Sequence, residues 1–167
     1  MNKKDKIQLL RNAIRSYPDF PKPGIIFRDI FGVFHNVAAL RAMRDLIVEH
    51  ILFLEVDLII GLDSRGFLFG PIICMEMGKP FVPIRKKGKL PGEILQKPYT
   101  LEYGEDTFEI QKDYINKGAR VIIVDDLLAT GDNFYKKLIY RQIKQKLIYF
   151  LNYLFYHLNC HNHLLRH

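Results

Sequence analysis

The chain has 167 residues, 49% of them apolar and 26% charged, with two cysteines and a formal charge of +7. That length and balance suit one soluble globular domain with a proper core, and two cysteines exclude a disulfide-stapled secreted scaffold or a cysteine metal cluster. The charge is concentrated: six Lys/Arg against one Asp give residues 132–167 a share of +5, so nucleic-acid binding is not expected of residues 1–131.

The Lys-rich N-terminus lacks the apolar run of a signal peptide, and Leu147–Leu158 is too short to span a bilayer. The expectation is a reduced, cytoplasmic protein with no membrane segment. Ile7, Leu10 and Ile14 predict an amphipathic helix over 4–16. Pro18, Pro21, Pro23 and Gly24 break it into a loop. Ile25–Ile30 follows as a short extended segment. Ala39, Met43, Leu46, Ile47 and Ile51 predict a second amphipathic helix from Asn36 to about Phe53.

Asp57–Leu62 reads as a buried strand that ends in Asp63-Ser64-Arg65-Gly66. Phe67–Met77 reads as a helix containing a core Cys74, with Gly78 as its stop. Phe81–Ile84 is a short strand in which Pro83 favours an edge or a strand end. Residues 86–98 are rich in Lys, Gly and Pro and predict a mobile loop. Tyr99–Tyr103 and Thr107–Ile110 predict a hairpin turning at 104–106. Val121-Ile122-Ile123-Val124 is a buried strand ending in Asp125-Asp126, with Leu127-Leu128-Ala129-Thr130-Gly131 as a loop set to open a helix. Strand, helix, strand and loop in this order argue for an α/β fold with a parallel sheet.

Two strand-end loops carry the chemistry. Ligands of open α/β sheets sit outside the carboxyl ends of strands, and backbone N–H groups at a helix start cradle phosphate. Asp125 and Asp126 offer carboxylates for sugar hydroxyls or a hydrated metal, beside Ala129-Thr130-Gly131 for a phosphate. Asp63, Ser64 and Arg65 offer a second anion site, with a guanidinium suited to bidentate phosphate contacts. Read singly, Asp63 and Ser64 are equally good helix caps and Arg65 a surface ion pair; two such loops on neighbouring strands suit one ligand with two phosphate groups. Arg85-Lys86-Lys87-Gly88-Lys89 adds positive charge at the end of the third strand.

Tyr17–Pro21, Pro23–Ile30, Gly61–Pro71, Arg85–Gly92, Leu101–Gly104 and Asp125–Gly131 stand in an order that resembles the adenine branch of the type I phosphoribosyltransferases, over about residues 4–131. The resemblance implies a parallel sheet flanked by helices, an N-terminal hood segment and a flexible hairpin loop. It implies transfer of ribose 5-phosphate from phosphoribosyl pyrophosphate to adenine, giving AMP and pyrophosphate, with Mg²⁺ held through the pyrophosphate and water, and a homodimer. It assigns Ile26 and Arg28 to the base pocket, and Arg65, Lys86 and Lys89 to pyrophosphate. It places Glu102 and Tyr103 on a mobile catalytic loop, Asp125 and Asp126 at the ribose, and Ala129, Thr130 and Gly131 at the 5-phosphate. Glu102 and Arg65 are the catalytic candidates.

The resemblance stops at Gly131. The family continues with glycine and threonine where this chain has Asp132 and Asn133. A carboxylate ~4 Å from a phosphate costs on the order of 4 kcal/mol per charge pair near a surface. Residues 132–167 lack Gly, Ala, Pro and Val and hold five of nine Tyr and four of six His. Ile139, Ile143, Leu147, Leu151, Leu154 and Leu158 are spaced as one helical stripe, and His157, His161 and His163 lack an acidic or Cys partner pattern for a metal. The expected division is therefore 1–131 as the phosphoribosyltransferase domain and 132–167 as a divergent tail replacing the last part of the core. The switch inside a motif suggests an altered reading frame, a retained intron or an alternative exon, which sequencing the transcript across codons 131–133 tests. A non-catalytic or unstable variant keeping only the ligand-binding loops is the alternative.

Overall fold

The computed structural model describes residues 1–101 and 104–125. These form two compact units, Met1–Phe53 and the described chain from Leu54 onward.

In the first unit, helix α1 (Lys3–Ala13) starts at Asn2, whose side chain accepts from the Asp5 amide at 2.9 Å. It buries Leu10 and the Lys6 stem, and the Lys6 ammonium pairs with Glu49 and, at 3.6 Å, with Asp45. The helix ends before Ile14, earlier than its periodicity predicts, because Arg15–Pro18 is taken up as strand β1. Strand β2 (Ile26–Asp29) pairs with it antiparallel, Tyr17 facing Phe27. The proline-rich connection is ordered: the Asp19 carboxylate accepts from the Gly24 amide at 2.7 Å, and Phe20 meets Phe27 edge-on at 5.2 Å. A short helix α2 (Phe31–His35) leads to α3 (Val37–Ile51), where Asn36 caps the Ala38 and Ala39 amides. Ala39, Ala42, Met43, Leu46, Ile47 and Ile51 form its buried stripe, as the spacing predicts.

The second unit is a five-stranded mixed sheet. Strand β3 (Leu58–Leu62) leads through helix α4 (Gly66–Met77) to β4 (Phe81–Lys86). Strands β5 (Ile94–Leu101) and β6 (Gly104–Gln111) form a hairpin, and β7 (Val121–Val124) closes the described chain's sheet. The order is β5-β6-β4-β3-β7; β3 is parallel to both β4 and β7, and β6 is antiparallel to β4. Leu58, Ile60, Leu62, Val82, Ile84, Phe108, Ile110, Val121 and Ile123 point to one face and form a buried cluster with Ile115 and Ala119. Helix α4 covers the other face of β3 and ends at Gly78, which is left-handed at φ 61°. Cys74 is core as expected; burial pushes its thiol up to about 11, so it stays unreactive at neutral pH.

Two local expectations change. Pro83 lies inside an interior strand, not at an edge. The Pro80 and Ile84 carbonyls face β3, so by alternation the Pro83 nitrogen faces β6. That partner pairs only from Arg85 onward, so no ladder bond needs a Pro83 N–H. The hairpin is also longer than its alternation predicts. β5 begins at Ile94, inside the run that reads as a loop, and the pairing extends as far as Leu101 opposite Gly104, into the segment expected to turn. Leu95 packing on the core cluster accounts for the extension.

Candidate active site

The sheet changes direction at β3. The chain leaves β3 through α4 to β4 on one side, while β7 pairs on the other, so the crevice at the carboxyl ends of β3 and β7 is a topological switch point. Register places three strand ends together: Leu62 opposite Ile84, and Gly61 opposite Val124. Asp63-Ser64-Arg65, the Arg85–Lys89 loop and Asp125 therefore leave the sheet side by side.

Glycine permits this closeness. A Cβ on Gly66, at the start of α4, would lie 2.4 Å from the Val124 carbonyl oxygen, so the helix start rests directly on the end of β7. A Cβ on Gly61 would meet the Phe81 ring at 2.6 Å. Neither position has room for another residue without a backbone shift.

Arg85 joins two of the loops. Its Nε donates to Asp63 Oδ2 at 2.9 Å, and a terminal guanidinium nitrogen donates to the Lys89 carbonyl at 3.3 Å. The guanidinium also lies 5.9 Å from the Phe67 ring centroid, within cation–π range. The Asp63 amide donates to the Ile84 carbonyl at 3.0 Å, and the Asp63–Ser64 peptide is cis. Asp63 is half-buried, Ser64 exposed and Arg65 half-buried. Lys86 and Lys89 are exposed, and Asp125 is half-buried at the end of β7. Below the loop, Glu109 is buried; its carboxylate accepts from the Gly88 amide and from the Gln96 side chain, each at 2.9 Å.

Ile26 and Arg28 belong to the first unit, on one face of β2 by alternation; Arg28 donates to Ser16 Oγ. Glu102, Tyr103, Asp126, Ala129, Thr130 and Gly131 lie outside the described residues, as do Asp132, Asn133 and the rest of the tail. In the sequence Arg85 is only one basic residue of a loop, and Phe67 and Glu109 carry no mark of a place at the site. Glu109 alternates with Phe108 and Ile110 like any solvent-facing strand residue, so the chain itself gives no sign of its burial.

The described basic loops and Asp125 suit a divalent ion that arrives with a diphosphate. Among the described residues no group of three or more His, Cys, Asp or Glu could hold a metal. A half-buried carboxylate beside a phosphate site is a donor Mg²⁺ accepts, since the ion keeps several waters and borrows substrate oxygens. Among the described residues, no helix is long and apolar enough to cross a membrane.

The phosphoribosyl transferase domain family matches residues 33–133. Adenine phosphoribosyltransferase of Drosophila pseudoobscura pseudoobscura is 53% identical over 129 residues, which are 76% of this chain and 71% of that protein. This chain belongs to the adenine phosphoribosyltransferase family. The Homo sapiens family member is 52% identical over 129 residues, 75% of this chain and 72% of its own length. The Saccharomyces cerevisiae adenine phosphoribosyltransferase, solved with an imino-altritol bisphosphate and adenine, superposes with a TM-score of 0.78 at 39% identity, covering 90% of this chain and 92% of its own. The Trypanosoma brucei family member, solved with AMP, pyrophosphate and ribose-5-phosphate, has a TM-score of 0.72 at 30% identity and covers 85% of this chain and 65% of its own. The comparisons lend no support to a non-catalytic variant. Phosphoribosyltransferases generally use phosphoribosyl pyrophosphate with a divalent metal.

Proposed function

We propose that this chain transfers ribose 5-phosphate from phosphoribosyl pyrophosphate to adenine, releasing pyrophosphate and forming AMP, in the cytoplasm and as a homodimer. The convergence of Asp63–Arg65, Arg85–Lys89 and Asp125 at the carboxyl ends of three adjacent strands carries this reading. Cation-bearing loops beside a carboxylate suit a ligand with a diphosphate on one side of a hydroxylated sugar.

In this reading Arg65, Lys86 and Lys89 bind the diphosphate, with Asp63 and Ser64 shaping the loop that receives it. Asp63 is already engaged by Arg85, so it serves the ligand by fixing that guanidinium. Asp125 and Asp126 take the ribose hydroxyls, and Ala129, Thr130 and Gly131 the 5-phosphate. Ile26 and Arg28 hold the adenine ring. Breaking the anomeric C–O bond builds positive charge on the ribose and negative charge on the departing pyrophosphate. Arg65 and the lysines stabilise the anion, and the Asp125 and Asp126 carboxylates favour the cation. Bound Mg²⁺ supplies further neutralisation of the diphosphate oxygens. Tyr103 binds substrate, closure of the loop over residues 86–104 excludes water from the reactive sugar, and Glu102 assists a proton shift at the purine. Full turnover by a Glu102→Leu variant would remove that last role.

The domain division is carried forward on composition: 1–131 supplies the site, and 132–167 is a divergent tail. Exposed Leu68 and Met75 on α4 offer apolar surface for a second copy; sedimentation of the purified chain distinguishes monomer from dimer. AMP formation by the full chain, dependent on adenine, phosphoribosyl pyrophosphate and Mg²⁺, tests the activity. A folded chain that makes no AMP under those conditions overturns it.

A further inference from the structure

We infer that Glu109 is a positioning residue for diphosphate binding, acting through the backbone of the Arg85–Lys89 loop; this rests on the reading that the loop receives pyrophosphate. Glu109 is only 1% exposed, although its strand neighbours Phe108 and Ile110 supply the core there. A buried carboxylate is costly unless its oxygens are satisfied. One oxygen accepts from the Gly88 amide and the other from the Gln96 side chain. The first bond spans 21 residues of sequence and reaches the tip of the basic loop.

Gly88 is where the loop reverses. Its φ of +77° is a left-handed conformation, and a Cβ there would meet nothing within 4 Å, so backbone conformation is what favours glycine. The Glu109 carboxylate holds this turn from below, while Arg85 holds its far side at the Lys89 carbonyl. Lys86, Lys87 and Lys89 are exposed around the fixed point. Like charges repel, and a fixed Gly88 limits how far the backbone that carries them can spread.

The conservative substitution separates hydrogen bonding from charge. In Glu109→Gln the new carbonyl still accepts from the Gly88 amide, and the new amide donates to Gln96 once the latter flips its own. Glu109→Ala leaves the Gly88 N–H without its acceptor. Pyrophosphate binding with Mg²⁺, followed by calorimetry on the full chain, is expected to weaken about tenfold in Glu109→Ala and to stay within about twofold in Glu109→Gln. Exchange of the Gly88 amide hydrogen is expected to speed up in Glu109→Ala alone, with the Val121–Val124 amides unchanged. In turnover, KM for phosphoribosyl pyrophosphate rises in Glu109→Ala while KM for adenine holds.

Unchanged pyrophosphate affinity in Glu109→Ala overturns the inference, and so does unchanged protection of Gly88. Should Glu109→Ala fail to fold, Gly88→Ala moves the same turn without touching the core, and an unaltered pyrophosphate affinity there overturns the inference equally. A wild-type chain that binds no pyrophosphate overturns it together with the diphosphate site. A wild-type chain that binds pyrophosphate but makes no AMP removes the proposed activity alone and leaves the Glu109 comparison to be decided on binding.

Discussion

Two charged side chains at the proposed site are engaged with the protein itself. Arg85 bonds Asp63 and the Lys89 carbonyl, and Glu109 bonds Gly88 and Gln96, so both act on neighbouring backbone and side chains. Arg85→Lys loses the planar fork that serves two acceptors at once. Its expected effect is a KM for phosphoribosyl pyrophosphate raised about tenfold, read in steady-state kinetics against an unchanged KM for adenine. Asp125 is the proposed ribose contact among the described residues. Asp125→Ala removes charge-assisted hydrogen bonds of about 1.5–3 kcal/mol to the ribose, so kcat/KM should fall about 10–100-fold in steady-state kinetics on the folded variant. A loss confined to stability would mark Asp125 as structural.

Strands and helix cooperate through close approach. Because the Gly66 Cβ position is 2.4 Å from the Val124 carbonyl oxygen, Gly66→Ala forces α4 off the end of β7. Urea denaturation should show a loss of about 1–3 kcal/mol, and pyrophosphate affinity should fall with it because both loops move. At the opposite ends of β3 and β7, Arg120 clamps Asp57: its backbone N–H donates to Oδ2 at 2.7 Å and its guanidinium to Oδ1 at 2.8 Å. The Arg120 side chain, then its backbone amide, holds the Asp57 carboxyl down from 3.8 to about 2. A depressed folded value means the stabilisation is complete above the unfolded value and is lost as pH falls through the folded one. Stability should therefore drop between about pH 4 and pH 2, and Arg120→Met should flatten that part of the curve in denaturation series across those pH values.

The assembled chain is legible from its sequence to different depths in different places. The stripe of α3, the strands β3 and β7, Cys74 in the core and Gly78 as a helix stop all follow from local pattern, because burial of one face imposes a period on the chain. Pro83 inside an interior strand does not follow, since its tolerance depends on where the β6 ladder begins. The hairpin register escapes for a similar reason: Leu95 is drawn into strand β5 by a core built from other elements. Ligand linkage offers a test of the entire fold. Phosphoribosyl pyrophosphate with Mg²⁺ at ~100 times its Kd should add about 2.7 kcal/mol to unfolding stability, seen as a raised melting temperature, whereas no shift would mean that the strand-end loops do not form a binding site in solution.

The sequence by itself determined the family, the strand-end loops and the residue types at the proposed site, because phosphate and sugar recognition demands particular side chains at short spacing. Only the tertiary structure decided that Arg85 and Glu109 hold neighbouring loop groups in place. Arg85 and Asp63 are 22 residues apart in the chain, and Glu109 and Gly88 are 21 apart. Their pairing is set by sheet order and register, which bring distant strand ends within hydrogen-bond reach and which no local pattern encodes.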